Sequence, residues 1–65
     1  MIAERISAHL KSNGIMQGHV ADGIGVHKVT FSNMMAGKRR ITAEEYVQIC
    51  RVLDKPLDFF IDEEK

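Results

Sequence analysis

The 65-residue chain has few of the sequence features by which small proteins are cross-linked, targeted for secretion or anchored in a membrane. Its one cysteine, Cys50, excludes an intramolecular disulfide and cannot form a zinc site by itself. The apolar runs are far too short to span a membrane. The first ten residues, MIAERISAHL, lack the basic segment and continuous apolar stretch of a secretory signal. We therefore expect one cytoplasmic domain over residues 1–65, with Cys50 in its core.

The sequence also lacks the residue groupings that catalysis requires. No serine or cysteine nucleophile lies beside a plausible base, and neither a carboxylate pair nor a glycine-rich phosphate loop is present. His19 and Asp22 share a face of a predicted helix, but two ligands without a third do not make a metal site. We expect no enzymatic activity, no cofactor and no bound metal.

Net charge is absent as well, since nine basic residues balance nine acidic ones. The balance is uneven along the chain. Residues 1–41 hold six Lys or Arg against two acidic residues, net +4, and residues 42–65 hold three against seven, net −4. All three histidines lie in the basic half. The basic half can approach phosphate while the acidic half stays in solvent.

Apolar periodicity predicts an all-α fold with five helices and no strand. The first helix extends from about Ile2 to Ser12. Thr42 and Glu45 form a capping box that opens the fourth helix. Pro56 is favoured at a first helical position, so a short fifth helix is expected at 57–61, with a frayed tail at 62–65.

The stretch from 17 to 40 contains the most informative pattern. Two short helical patterns meet at Gly25, which can take a positive φ without strain, and Gly37 ends the second of them. Ala21 is small where two steeply crossed helices would come closest. The apolar residues that are spaced to face inward are Val20, Ile24, Val26, Phe31 and Met34. This pattern predicts a helix-turn-helix that binds DNA.

With these residues in view, the chain resembles the Cro and phage-repressor (Cro/C1-type, XRE) family of helix-turn-helix regulators over nearly all its length. The matching positions are Gln17, Ala21, Gly25, Val26, Gly37, Lys38, Pro56, Leu57 and Phe60. The resemblance implies a five-helix lambda-repressor-like domain that is phage- or prophage-like in origin. Many family members pair an Arg in the first helix with a Glu ending the third, but Leu10 and Met35 occupy those positions here. A packing contact in place of an ion pair can be neutral or stabilising.

An α-helix fits the DNA major groove, so the outward residues of the third helix are candidates for base reading. Lys28 can donate to guanine, Val29 can contact a thymine methyl group, and Asn33 can pair with adenine. Thr30 is within reach of a base or a phosphate. Two alternatives remain open: Val29 is buried if the helix is rotated, and Asn33 bonds back to the protein.

Five residues are candidates for contacts with the phosphate backbone. Gln17 combines an amide donor with the positive end of the second helix, although it can equally serve only as a helix cap. His27 lies near the start of the third helix. The basic run after that helix can hold the far side of the groove or be a solvated loop; it comprises Lys38, Arg39 and Arg40.

Four large apolar residues crowd the carboxyl end, and one short helix cannot turn all of them toward one core. We assign Leu57 and Phe60 to the core and Phe59 and Ile61 to a dimer contact. The expected partner is double-stranded DNA, bound by a homodimer that forms in solution or only on DNA. The leading function is a sequence-specific transcriptional regulator, a Cro-like repressor. The alternative is a protein-interaction module, such as an antitoxin or anti-regulator, that captures a protein partner.

Overall fold

The structure is a computed structural model that describes residues 2–61, in which four α-helices and no strand are found. The helices are α1 (Ile2–Ser12), α2 (Gln17–Ile24), α3 (Lys28–Met35) and α4 (Ala43–Leu53). The predicted all-α class and the bounds of the first helix are confirmed. The tail at 62–65 lies outside the described residues. No helix within 2–61 has the length and apolar character needed to cross a membrane.

Each of the four helices is followed, within two residues of its end, by a residue in the left-handed conformation. The φ angle is +76° at Gly25 and +78° at Gly37, as the sequence predicted for the turn and for the end of α3. After α2, the amide of Val26 donates to the carbonyl of Ala21 at 3.1 Å and that of Gly25 to Asp22 at 3.2 Å. This is the Schellman pattern, and it satisfies carbonyls that a helix end leaves open.

The core is formed by one cluster to which every helix contributes. α2 packs against α3 and α4, and α1 packs against α3. Leu10 and Met35, the two apolar residues predicted to replace an ion pair, are both buried in this cluster. Of the five residues in the 17–40 stretch that were predicted to face inward, four are buried and Val26 is partly buried. The buried cluster consists of Ile6, Leu10, Val20, Ala21, Ile24, Phe31, Met34, Met35, Ile49, Cys50 and Phe60.

The predicted fifth helix is wrong. Residues 57–60 form turns, with an amide of Phe59 donating to Pro56 and one of Ile61 donating to Asp58, each three residues back. Phe60 is 2% exposed, but Leu57 is 52% exposed, so its assignment to the core is also wrong.

An aromatic cluster holds this carboxyl segment against α1 and α4. The His9 ring meets Phe59 and Phe60 edge-on, with ring centroids 5.3 and 5.5 Å apart. Tyr46 packs edge-on against Phe60, and its hydroxyl donates to the carbonyl of Leu57. Edge-to-face packing is a favourable geometry for aromatic rings. The segment is therefore fixed to the helices although it is not itself helical.

Candidate nucleic-acid interface

α3 presents one exposed face and buries the opposite one. Phe31, Met34 and Met35 are buried, because positions three and four apart share a side of a helix. Val29 is 61% exposed, which excludes the alternative that it is buried. Thr30 is half-buried at the edge of the exposed face. The exposed face itself consists of Lys28, Val29, Ser32 and Asn33.

His27 is the N-cap of α3. Its Nδ1 accepts a hydrogen bond of 3.2 Å from the amide of Val29. A neutral imidazole that accepts at Nδ1 carries its proton on Nε2. His27 is exposed, so Nε2 is left as a donor toward solvent or toward an anion beside the start of α3.

The start of α2 has a different character. Its N-cap is Met16, whose side chain makes no capping hydrogen bond and is 73% exposed. Gln17 is therefore the first helical residue and not the cap that the alternative required. A Cβ placed on Gly18 would lie 3.8 Å from Cδ of Lys28, so the Lys28 stem lies along the first turn of α2. The starts of the two helices are thus brought together.

The basic loop follows directly from α3. The amide of Lys38 donates to the carbonyl of Asn33 at 2.9 Å, which fixes the beginning of the loop to the last turn of the helix. The side chains of Lys38 and Arg40 are exposed and have no ion-pair partner within the described residues 2–61. The side chain of Asn33 likewise makes no hydrogen bond to another described residue, so within 2–61 the alternative that it bonds back to the protein is not found.

Arg39 is held by Glu45. Its Nη1 and Nη2 donate to Oε1 and Oε2 of that carboxylate at 3.1 and 3.0 Å. Glu45 also completes the predicted capping box, which is confirmed: the amide of Thr42 donates to Glu45 Oε1, and the amide of Glu45 donates to Thr42 Oγ1. The Arg39 guanidinium, followed by the Thr42 amide, lowers the pKa of Glu45 to about 2. This carboxylate is charged throughout the physiological pH range.

The helix pair, the exposed face of α3 and the basic loop together make one continuous stretch from 16 to 40. A family model described as helix-turn-helix matches residues 6–60. The chain belongs to this Cro/C1-type helix-turn-helix family. No curated protein and no solved structure matches the chain.

Membership in the helix-turn-helix family makes the chain a DNA-binding transcription regulator of this class. The second helix of this motif, which here is α3, is the one that enters the major groove of DNA. The exposed face of α3 is therefore the candidate surface for reading bases. The residues predicted to read bases, other than half-buried Thr30, are exposed on that face. Phe59 and Ile61, predicted to contact a second copy, lie in the carboxyl segment and are 46% and 43% exposed.

Two features of this surface were not predicted. The pairing of Arg39 with Glu45 crosses a turn with a sequence separation of six, which is not a helical spacing. Neither an arginine nor a glutamate in a sequence indicates by itself that the two will pair, although the capping box already assigned Glu45 a role at the start of α4. The contact of the Lys28 stem with Gly18 joins two helices, and a glycine in a sequence gives no indication of which side chain covers it. Within residues 2–61 there is no cluster of potential metal ligands around His19 and Asp22 or elsewhere.

Proposed function

We propose that this protein is a sequence-specific repressor of the Cro type, which binds a near-palindromic operator as a dimer with α3 in the major groove. The observation that carries the proposal is the exposed face of α3, bordered by the start of α2 at one end and by the basic loop at the other. Occupying the operator would block access of the polymerase to the promoter.

Base reading is assigned to the first turns of α3. Val29 offers an apolar surface to a thymine methyl group, and Asn33 offers an amide that matches adenine N6 and N7. Lys28 donates to guanine O6 or N7, and Thr30 reaches a base from the edge of the face. One good pair of this kind contributes about 1–3 kcal/mol of discrimination between bases.

The phosphate backbone is assigned to groups on both sides of this face. Gln17 stands at the start of α2, where unpaired amides and the helix dipole favour an anion. The Nε2 of His27 is a donor at the start of α3. Lys38 and Arg40 supply positive charge beyond its end. Such contacts fix the register of the protein on the duplex but carry little sequence information.

The carboxyl segment is assigned to the dimer contact. Three large apolar side chains in it are between 43% and 52% exposed, namely Leu57, Phe59 and Ile61. A single domain of this size makes few base contacts, and a two-fold dimer doubles them. Its two recognition helices would lie roughly 34 Å apart, one turn of DNA.

Selection of bound sequences from a randomised duplex pool tests the proposal, with the intact chain at moderate salt. The expected result is a two-fold symmetric motif with half-sites about ten base pairs apart. Each subunit places two cations, Lys38 and Arg40, on the phosphate backbone, so a dimer should give a log–log salt slope of roughly −3.6. Recovery of no motif would contradict the proposal and favour the protein-interaction module.

A further inference from the structure

Among the three successive cations of the basic loop, Arg39 stands apart. Both of its terminal nitrogens are bound by the carboxylate of Glu45, at 3.1 and 3.0 Å, and Nη1 also donates to the carbonyl of Arg40 at 3.3 Å. Lys38 and Arg40 have no comparable side-chain bond to another residue in 2–61. The Arg39 side chain is therefore directed toward the start of α4, while those of its neighbours are free of such a contact within 2–61.

Glu45 is itself fixed in place. Its Oε1 accepts the amide of Thr42 at 3.0 Å, so the carboxylate is anchored at the start of α4. The Glu45 side chain is 16% exposed and that of Arg39 is 40% exposed, so the acid lies beneath the base. At the other end of the loop, the amide of Lys38 is bonded to the last turn of α3. The loop is thus tied to α3 at its start and to α4 through Arg39.

We propose that Arg39 and Glu45 are positioning residues for DNA binding: their ion pair holds the loop so that Lys38 and Arg40 meet the phosphate backbone, and Arg39 itself binds no phosphate. The inference rests on the proposed function.

The physical reason is the free-energy cost of bringing a phosphate to Arg39 while Glu45 is bound to it. A phosphate that bound Arg39 would meet a guanidinium whose charge is already balanced by a bidentate carboxylate, and it would lie beside the negative charge of Glu45. A loop that is ordered before binding loses less conformational entropy when its cations engage the backbone. The pair therefore favours binding without adding a phosphate contact.

Salt dependence separates these roles, because each cation that neutralises a phosphate adds about 0.9 to the slope of log K against log salt. The variants are Arg39→Met, Lys38→Met, Arg40→Met and Glu45→Gln, measured on one operator duplex. In a dimer, the Lys38 and Arg40 variants should each flatten the slope by about 1.8. Arg39→Met should weaken binding by about fivefold to thirtyfold, an ordering cost of one loop per subunit, at an unchanged slope.

Glu45→Gln is the sharpest variant, since glutamine still accepts the Thr42 amide in a capping box but has no carboxylate for Arg39. It should weaken DNA binding as Arg39→Met does, and the double variant should be no weaker than either single one. Thr42→Ala is the matched control: it removes the cap at Oγ1 and leaves the ion pair, so its DNA affinity should stay within about twofold of the unmodified chain once the fold is confirmed by circular dichroism.

Two results would overturn the inference while leaving the proposed function intact. One is a slope for Arg39→Met that flattens as much as that of Lys38→Met, which would make Arg39 a phosphate contact. The other is a Glu45→Gln variant that binds as tightly as the unmodified chain or more tightly. Failure of the proposed function is distinct, because the unmodified chain would then select no motif from the randomised duplex pool.

Discussion

Gly23 in α2 lies directly against Val52 in α4. A Cβ placed on residue 23 would lie 2.7 Å from Cγ2 and 3.2 Å from Cγ1 of Val52, distances at which the Val52 side chain or one of the two helices has to shift. An interior glycine costs a helix roughly 0.5–1 kcal/mol relative to alanine. The close approach of α2 and α4 gives the physical reason why this cost is tolerated in so short a helix.

Gly23→Ala should therefore destabilise the protein although alanine is the better helix former. Overpacking typically costs about 1–3 kcal/mol, which exceeds the gain in helix propensity. Val52 cannot swing aside freely, because a β-branched side chain has one strongly preferred rotamer in a helix. We expect a net loss of about 1–2 kcal/mol in the free energy of unfolding, measured by urea denaturation.

Two control variants accompany this measurement. Gly18→Ala lies in the same helix, and its Cβ would meet only the flexible Lys28 stem at ordinary distance, so it should be neutral or stabilising by up to about 1 kcal/mol. Adding Val52→Ala to Gly23→Ala should recover part of the loss, since the two clashing methyl groups are gone. Equal effects of alanine at positions 18 and 23 would rule out the steric explanation.

Gly25→Ala should destabilise by a different mechanism. A Cβ at residue 25 would meet nothing within 4 Å, but the residue has φ +76°, where an L-residue with a side chain is strained by roughly 1–2 kcal/mol. Gly25→Asn should lose less, because asparagine tolerates the left-handed region. Urea denaturation of both variants measures the difference, and an alanine variant as stable as the asparagine one would contradict this account of the turn.

The Arg39–Glu45 pair should make stability depend on pH in the acid range. Because the pKa of Glu45 is lowered from 4.5 to about 2 in the folded protein, its charged form adds stability that is fully present above about pH 4.5. That contribution is lost as the pH falls toward 2. Glu45→Gln lacks this titration, so the melting temperatures of the two proteins should differ most near neutral pH and converge near pH 2.

Thr42→Ala is again the matched control, since it keeps the carboxylate and should retain most of the acid sensitivity. A difference between the unmodified chain and Glu45→Gln that stays constant from pH 7 to pH 2 would show that the pair does not stabilise the folded state.

Dimerisation should depend on the exposed apolar side chains of the carboxyl segment. Phe59→Asp and Ile61→Asp each place a charge in the proposed contact and should raise the dimer dissociation constant by about tenfold or more. Analytical ultracentrifugation over a range of concentrations, with and without operator DNA, measures the effect. Both conditions are needed because a homodimer that forms only on DNA would not be detected without the operator.

The second variant guards against a folding defect. Phe59 also packs on His9 and lies 4.9 Å from the ammonium of Lys55, so its loss can disturb the protomer itself. Ile61 belongs to none of these ring contacts. If Ile61→Asp and Phe59→Asp both dimerise like the unmodified chain while remaining folded, the assignment of the contact to this segment is wrong.

Most of the helical part of the fold could be predicted from short-range signals. The capping box at Thr42 and Glu45 and the glycines at 25 and 37 act within a few residues, so their effects follow from local backbone chemistry. The buried face of α3 follows from helical spacing alone. Prediction was weaker at the carboxyl end, where the turns after Pro56 expose Leu57 and bury Phe60.

The amino-acid sequence thus specifies the helices of the motif, the apolar stripes that join them and the separation of charge between the two halves, because each depends on neighbours in the chain. The role of Gly23, the pairing of Arg39 with Glu45 and the exposure of Leu57 depend on how separate segments meet. Such contacts depend on differences of a few tenths of an ångström in the distances between residues that are far apart along the chain or joined across a turn. Periodicity and composition do not encode those distances, so they emerge only when the helices are packed together.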